Sequence, residues 1–134
     1  MPWQVVEIST RRRVEVQDIT DQIVAGCPLA SVTDGLLVVI CAHTTSSVCV
    51  NEAEPGLIAD IEGWLEHIVS AAGRFAHNSV DDNADAHLRA IVLGHSVCLP
   101  VIRGKLGLGR WQRVLFVELD GPRDRQVWVQ VVGS

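Results

Sequence analysis

A histidine followed by four hydroxyl side chains is the first feature of the sequence that could perform chemistry. His43 ends an apolar stretch and precedes Thr44, Thr45, Ser46 and Ser47. Hydroxyls and backbone amides at a strand end can hold a phosphate, while an imidazole can bind a metal ion or transfer a proton. A Ser/Thr-rich turn that carries a surface histidine explains the same residues. The segment therefore predicts either a phosphate site or a simple turn.

Two histidines and three carboxylates lie close together further along the chain. They are His77, Asp81, Asp82, Asp85 and His87. Such side chains can supply nitrogen and oxygen ligands for Zn²⁺ or Mn²⁺, or carboxylates for Mg²⁺. Acidic residues before a helix also interact favourably with its amino terminus. A metal site and a capped helix are both consistent with the spacing.

The glycine-rich segment 104–109 is the third candidate. It contains Lys105, Gly107 and Gly109 and is followed by Arg110. The segment lacks the phosphate-loop and dinucleotide-binding spacings, and a predicted strand follows it where those motifs need a helix. Its amides can still approach an anion, with Lys105 or Arg110 adding positive charge. A plain hairpin loop fits equally well.

These candidates must be positioned by a small fold. The chain has 134 residues and 48% hydrophobic residues, which predicts one folded domain over residues 1–134. Alternation and apolar runs predict a hairpin of strands 3–9 and 14–17, neighbouring strands 36–41 and 47–51, and later strands 97–102, 113–119 and 126–132. Strand 36–41 is continuously apolar and is expected to be covered on both faces. Adjacent runs of strands favour an α+β domain with largely antiparallel sheets.

Three helices are predicted between these strands. Asp18 caps the first, which runs to about Cys27, and Pro55 opens the second, which runs towards Gly73. Asp82 or Asn83 caps the third, which ends at Gly94. This third helix is expected to turn three apolar side chains inward, and these are Leu88, Ile91 and Val92.

Composition excludes several classes of protein. The formal net charge of −5 has the wrong sign for a protein that binds along a nucleic acid. The longest apolar run, 36–42, is too short to cross a bilayer, and the amino terminus lacks a signal-type segment. The four cysteines contain no C-x-x-C pair, so we expect reduced thiols in a cytoplasmic protein.

The chain resembles the YjbQ-like family, also described as secondary thiamine-phosphate synthases, over nearly its whole length. The matching runs are HTTSS (43–47), NE (51–52), DN (82–83), AHL (86–88), LGHS (93–96), PV (100–101), Gly104, LG (108–109), WQ (111–112), Glu118 and DGPR (120–123). The resemblance implies a YjbQ-like sandwich of mostly antiparallel sheets with about three helices. It also implies a homotrimer and, for some members, a weak thiamine-phosphate synthase activity.

The resemblance also implies roles for individual residues. The family's shared polar positions are His43, Asn51, Glu52, His77, Asp82, His87, Ser96, Gln112 and Glu118. We assign His43, His77 and His87 as ligands of a divalent metal ion, either Zn²⁺ or Mg²⁺. Glu52, Asp82, Gln112 and Glu118 are the catalytic candidates. The phosphate-binding candidates are Thr44, Thr45, Ser46, Ser47, Ser96, Lys105, Gly107, Gly109 and Arg110.

The predicted function is that of a small metal-assisted enzyme that acts on phosphorylated small molecules. One candidate reaction joins a pyrimidine pyrophosphate to a thiazole phosphate and releases pyrophosphate, whose charge a divalent ion and N–H donors would stabilise. The alternative is a trimeric metal- or ligand-binding protein without turnover. Neither interpretation includes a nucleic-acid or membrane partner.

Overall fold

The computed structural model describes residues 2–134 as two antiparallel β-sheets and three α-helices. The five-stranded sheet has the order β1 (Gln4–Ser9), β8 (Asp124–Gly133), β3 (Asp34–Cys41), β5 (Ser96–Ile102) and β6 (Lys105–Leu106). The three-stranded sheet has the order β2 (Glu15–Asp18), β7 (Arg113–Glu118) and β4 (Ser46–Asn51). The helices are α1 (Thr20–Gly26), α2 (Pro55–Ile68) and α3 (Ala84–Leu93), and short 3-10 helices span Leu29–Ser31 and Ala76–Ser79. The predicted α+β fold with mostly antiparallel sheets is confirmed.

The main core lies between the two sheets. Alternate residues of β3 and β8, such as Leu37, Val39 and Val129, face Val48 and Phe116 of the smaller sheet. A second cluster on the other face of the smaller sheet packs against α2 and α3. Residues 2–134 therefore form three layers, and no element within them covers the outer face of the larger sheet.

Two predictions about strand neighbours are wrong. Strands β1 and β2 do not form a hairpin, since β1 pairs with β8 and β2 pairs with β7 in the other sheet. Strand β4 likewise pairs with β7 and not with β3. Alternation reports which face of a strand is buried, but it does not report the partner strand. The sequence spacing therefore could not distinguish a hairpin from a crossing between sheets.

The expectation that β3 is covered on both faces is also wrong. Leu37 and Val39 are fully buried, whereas Leu36 on the opposite face is 48% exposed. The apolar residues on the outward face explain why the strand looked continuously hydrophobic. The outward face of β3 therefore carries exposed apolar side chains.

Helix α3 buries a different face from the one predicted. Leu88, Ile91 and Val92 are 39%, 77% and 67% exposed, while the residues turned inward include Ala86 and Arg89. Alanine lets the helix approach the smaller sheet closely. The Arg89 guanidinium donates to Asp85 and to the carbonyls of Glu66 and Val69 at the end of α2. Paired charge, rather than an apolar stripe, therefore orients the inner face of α3.

Side-chain caps explain where the first two helices begin. Asp18 accepts hydrogen bonds from the amide and hydroxyl of Thr20, and Glu54 accepts from the amides of Gly56 and Leu57 just after Pro55. Helix α2 ends at Ile68, short of the predicted Gly73, because the backbone becomes extended at Val69. No helix of residues 2–134 combines the length and the apolar character needed to cross a membrane.

Candidate functional site

A cleft opens where β3 ends and α3 begins. Its polar half, about 440 Å³, is lined by Ala42, His43, Thr44, Thr45, Asp81, Asn83, His87, Arg123 and Arg125. Its second half, about 310 Å³, is lined by His43, Thr44, Ser46, His87, Ala90, Ile91, Gly94 and His95. Since both halves share His43, Thr44 and His87, we treat them as one cleft with a charged half and a more apolar half.

His43 is held as a hydrogen-bond donor towards any ligand. The backbone amide of Gln126 donates to its Nε2 at 3.0 Å, so the proton of the neutral ring is on Nδ1. No hydrogen bond joins Nδ1 to another described residue. Burial and the positive charge of Arg125 lower the pKa of His43, which favours the neutral ring. In this arrangement His43 offers a proton, not the lone pair that a metal ion needs.

His77 and His87 lie against each other at the edge of the cleft. Their ring centroids are 4.9 Å apart with an edge-to-face angle of 77°, and His77 Nε2 is 3.0 Å from Asn83 Oδ1. His43 and His87 thus line one cleft, and His77 reaches it only through its contact with His87. Within residues 2–134, however, no three His, Cys, Asp or Glu side chains are grouped closely enough to hold a metal ion.

Two arginines supply the positive charge of the cleft. Arg123 donates to the carboxylate and carbonyl of Asp120. Arg125 is buried, forms a bidentate pair with Glu118, and also donates to the carbonyl and hydroxyl of Thr45. Both guanidiniums are therefore held in place by carboxylates that lie behind the cleft.

Glu118, predicted to be catalytic, belongs to this internal framework. Its side chain is fully buried, and besides Arg125 its oxygens accept from the Thr10 hydroxyl and the amides of Leu119 and Asp120. Burial alone would raise the pKa of Glu118, but hydrogen bonds from Arg125 and Thr10 outweigh it and hold the pKa below its usual range. The carboxylate has no route to a substrate, so the structure assigns it to positioning Arg125.

Three of the four consecutive hydroxyls have hydrogen-bond partners inside the protein. Thr44 is exposed, whereas Thr45, Ser46 and Ser47 are buried. Thr45 accepts from Arg125, Ser46 Oγ lies 2.7 Å from Cys41 Sγ, and Ser47 donates to the Gly94 carbonyl. The run expected to bind phosphate therefore mainly joins β3 and β4 to their surroundings. Ser96 is exposed at the start of β5, beside the cleft residue His95.

The glycine-rich loop does not take part in the cleft. It follows β5, whose seven residues place it roughly 20 Å from the His95 end at about 3.3 Å per residue. The Gly107 amide donates to the Pro100 carbonyl, and the Gly109 amide donates to Gln112 Oε1. These amides are consequently unavailable to an anion. Lys105 lies in β6 of the same remote region.

Glu52 and Arg110 lie at the far end of the smaller sheet. They share a cavity of about 360 Å³ with Asp18, Ala53, Glu54, Trp111 and Arg113, and the Arg110 guanidinium stacks 4.8 Å above the Trp111 ring. This cavity and Thr45 lie at opposite ends of strand β4.

Gln112 accepts the Gly109 amide and so closes the turn there. Asp82 is exposed, and its amide donates to Asp81, which lines the cleft.

Four polar residues around the cleft were not predicted as site residues, namely Asn83, Asp120, Arg123 and Arg125. Asn83 is predicted only as a possible cap of α3, and its side chain makes no cap hydrogen bond there. Arg125 carried a usable signal, because it shares the inward phase of β8 with Val127, Val129 and Val131. A charged residue at a buried position requires a partner. Asp120 and Arg123 lie within the DGPR run that contributed to the resemblance.

The comparison with known families decides the affiliation of the chain, since residues 4–134 match the model described as UPF0047 protein YjbQ-like. The chain belongs to the YjbQ-like family. A UPF0047 protein of Methanothermobacter thermautotrophicus is 44% identical over 131 residues, which cover 98% of this chain and 92% of the relative. One from Archaeoglobus fulgidus is 48% identical over 93% of this chain and 97% of the relative.

Solved structures of YjbQ-like proteins share the architecture. A hypothetical protein from Aeropyrum pernix K1 superposes with a TM-score of 0.94 at 43% identity, over 100% of both chains. A protein of unknown function from Sulfolobus solfataricus P2 gives a TM-score of 0.95 at 37% identity, over 99% of this chain and 97% of that one. The layered arrangement that forms the cleft is therefore that of the YjbQ-like fold.

Proposed function

We propose that this YjbQ-like protein is an enzyme that acts on a phosphorylated small molecule in the His43 cleft. The observation that carries the proposal is the Gln126 amide on His43 Nε2, which makes the neutral imidazole an N–H donor beside Arg123 and Arg125. Donors that are already oriented stabilise negative charge without reorganising during the reaction. His87, on the opposite side, is the proton-transfer candidate.

A thiamine-phosphate synthase-like transfer is the reaction we propose. The bond between the pyrimidine methylene carbon and pyrophosphate breaks, and pyrophosphate leaves with the electron pair. The thiazole nitrogen supplies its lone pair to the same carbon, so that one C–N bond replaces one C–O bond. The charge that develops on pyrophosphate is the charge that His43, Arg123 and the exposed Thr44 hydroxyl would stabilise.

The proposed divalent ion fits the three histidines only in part. His43 uses its Nε2 lone pair on the Gln126 amide, which leaves His77 and His87 as nitrogen donors from one chain. We derive no step through a metal ion. Zn²⁺ or Mg²⁺ binding stays a prediction, and it requires further ligands beyond these two histidines.

Binding and turnover measurements with histidine variants test the proposal. Calorimetry with inorganic pyrophosphate, and turnover of the pyrimidine pyrophosphate with thiazole phosphate, are compared for wild type, His43→Ala and His87→Ala. Each assay is run with chelator and with added Mg²⁺ or Zn²⁺. His67→Ala is the matched control, because His67 is exposed on α2 and its Nδ1 contacts only the Gly63 carbonyl. Equal pyrophosphate binding by His43→Ala and His67→Ala would remove the assignment.

A ligand-binding role without turnover is the second candidate. It is favoured by the pairing of Arg123 with Asp120 and of Arg125 with Glu118, which balances the charge of the cleft. Under this alternative, pyrophosphate or a related anion binds to wild type and binding weakens in His43→Ala. No product forms with any metal supplement. Product formation that depends on His87 would exclude it.

We propose that the assembly is a homotrimer and that its setting is the cytoplasm. Support comes from the outer face of the larger sheet, where Trp3, Val5, Leu36, Trp128 and Val132 are each about half exposed. Trp3, Val5 and Trp128 also line an apolar cavity with Ile40. Monomers rarely expose apolar patches of this kind, and contact with further copies would cover it. A nucleic-acid or membrane partner is not part of the proposal.

A further inference from the structure

The side chains of Asp120, Asn83 and His77 form a series of hydrogen bonds beside the cleft. Asp120 determines which atom donates in each of these bonds. Asp120 can only accept hydrogen bonds in its ionised form, so the group facing it at 2.8 Å must be the Nδ2 donor of Asn83. Asn83 then presents Oδ1, an acceptor, to His77. His77 Nε2 must therefore carry a proton, which leaves the lone pair of the neutral ring on Nδ1.

The surroundings hold this series in one orientation. Asp120 is also bound by Arg123, and Arg13 Nε lies 3.8 Å from its other oxygen. Asn83 is buried at the N-cap position, directly before α3, yet its side chain does not cap the helix. An asparagine at this position usually accepts a hydrogen bond from the helix amides. Here the cap is absent and the amide side chain is bonded to His77 instead.

We infer that Asn83 and Asp120 are positioning residues that hold His77 in the Nε2–H tautomer. No hydrogen bond joins His77 Nδ1 to another described residue, so this lone pair is available to a proton or to an electrophilic ligand. The Gln126 amide gives His43 the opposite tautomer, with the proton on Nδ1. The imidazole of His43 in the cleft is therefore oriented to donate, and that of His77, which packs against the cleft residue His87, is oriented to accept. The tautomer assignment is independent of the proposed function, and only a role of His77 in turnover rests on that function.

Nitrogen-15 NMR of histidine-labelled protein tests the tautomers directly. Spectra of the ligand-free full chain, recorded at a pH where the rings are neutral, distinguish protonated from unprotonated ring nitrogens. We expect His77 to be protonated at Nε2 and His43 at Nδ1. In Asp120→Asn, Asn83 can face either way, and in Asn83→Ala the acceptor is removed. Both variants should give His77 a mixture of tautomers while His43 keeps its own.

Asp60→Asn is the matched control, since it makes the same chemical change at an exposed position of α2. It should leave both tautomers as in wild type. If Asn83→Ala fails to fold, the isosteric Asp120→Asn carries the test. A wild-type His77 protonated at Nδ1, or a His77 unchanged in the folded variants, would overturn the inference.

A turnover measurement distinguishes a failure of this inference from a failure of the proposed function. Loss of an orienting partner outside the ligand contacts typically lowers activity about 10- to 100-fold. We expect that loss in kcat for Asp120→Asn with the urea midpoint measured alongside. The tautomers can be read without substrate, so a wrong reaction assignment leaves the NMR result standing. Conversely, pyrophosphate binding that depends on His43 can survive a wrong tautomer assignment for His77.

Discussion

Replacing Glu118 by Gln isolates the internal ion pair behind the cleft. The substitution keeps the shape of the side chain but removes its charge, which leaves Arg125 buried without its counter-ion. Breaking a buried pair by changing one partner costs about 3–5 kcal/mol. A domain of this size has a free energy of unfolding of about 5–15 kcal/mol. The variant should therefore lose a large part of its stability, equivalent to roughly 10–20 °C in Tm.

Urea unfolding of wild type and variant at the same protomer concentration measures this loss, because the apparent stability of an oligomer depends on that concentration. The double variant Glu118→Gln with Arg125→Met removes both charges and should be less destabilised than the sum of the single variants, because no unpaired charge remains. A Glu118→Gln protein within about 0.5 kcal/mol of wild type, yet inactive in turnover, would refute the framework assignment and restore Glu118 as a catalytic residue.

The pH dependence of the same comparison gives an independent check. The folded pKa of Glu118 lies below its unfolded value, so its charge stabilises the fold above the unfolded pKa of about 4.3. That contribution is lost as the pH falls through the folded pKa. The difference in stability between wild type and Glu118→Gln should accordingly shrink under acid conditions. A difference that stays constant from pH 7 to acid pH contradicts the assignment.

Three further substitutions test other parts of the structure. Arg89→Met should lower the free energy of unfolding by about 2–3 kcal/mol, because the Glu66 and Val69 carbonyls lose their donor. For the same reason it should speed amide hydrogen exchange at the end of α2. Unchanged exchange there would contradict the capping role of Arg89. Trp128→Glu should reduce the mass measured by light scattering from trimer to monomer, and a wild-type monomer would remove the trimer proposal. The lowered pKa of His43 disfavours its charged form in the fold, so wild type should lose stability as the pH falls below about 6.5. His43→Gln should abolish this loss. Plots of urea midpoint against pH with the same slope for wild type and variant would contradict the effect.

Sequence periodicity predicted where the helices and strands lie better than it predicted which strands pair with each other. Helix α2 and strand β1 have clear 3.6- and 2-residue patterns, because burial on one face constrains each of them. Pairing of β1 with β8 depends on contacts between the two ends of the chain, which no local pattern records. The apolar residues of α3 were misread since Ile91 and Val92 face outward, while the inner position of Arg89 depends on partners in α2.

The candidate site was predicted in part for the same reason. His43, His77 and His87 stand at the ends of elements, where side chains from distant segments can meet. Of the three, His43 and His87 line one cleft and His77 contacts His87, but the described residues form no three-ligand cluster. The hydroxyl run was interpreted by residue type alone, and type does not show that Thr45 or Ser47 is buried with an internal partner. Glu52 is a catalytic candidate because of the family resemblance, and no local pattern shows that it lies at the end of β4 away from the histidines.

The negative charge of the whole protein does not oppose an anion in the cleft. A net charge of −5 is spread over the molecule, whereas exposed charges further away than about 8–10 Å are largely screened at physiological salt. What an anion meets locally is the Nδ1–H of a neutral His43 and the edges of two guanidiniums. A guanidinium has five N–H donors, and the bonds of Arg125 to Glu118 and Thr45 use its Nε and one terminal nitrogen. Arg123 and Arg125 both line the cleft, and each keeps one terminal nitrogen without a hydrogen bond to another described residue, so the net charge of the protein does not argue against the proposed phosphate binding.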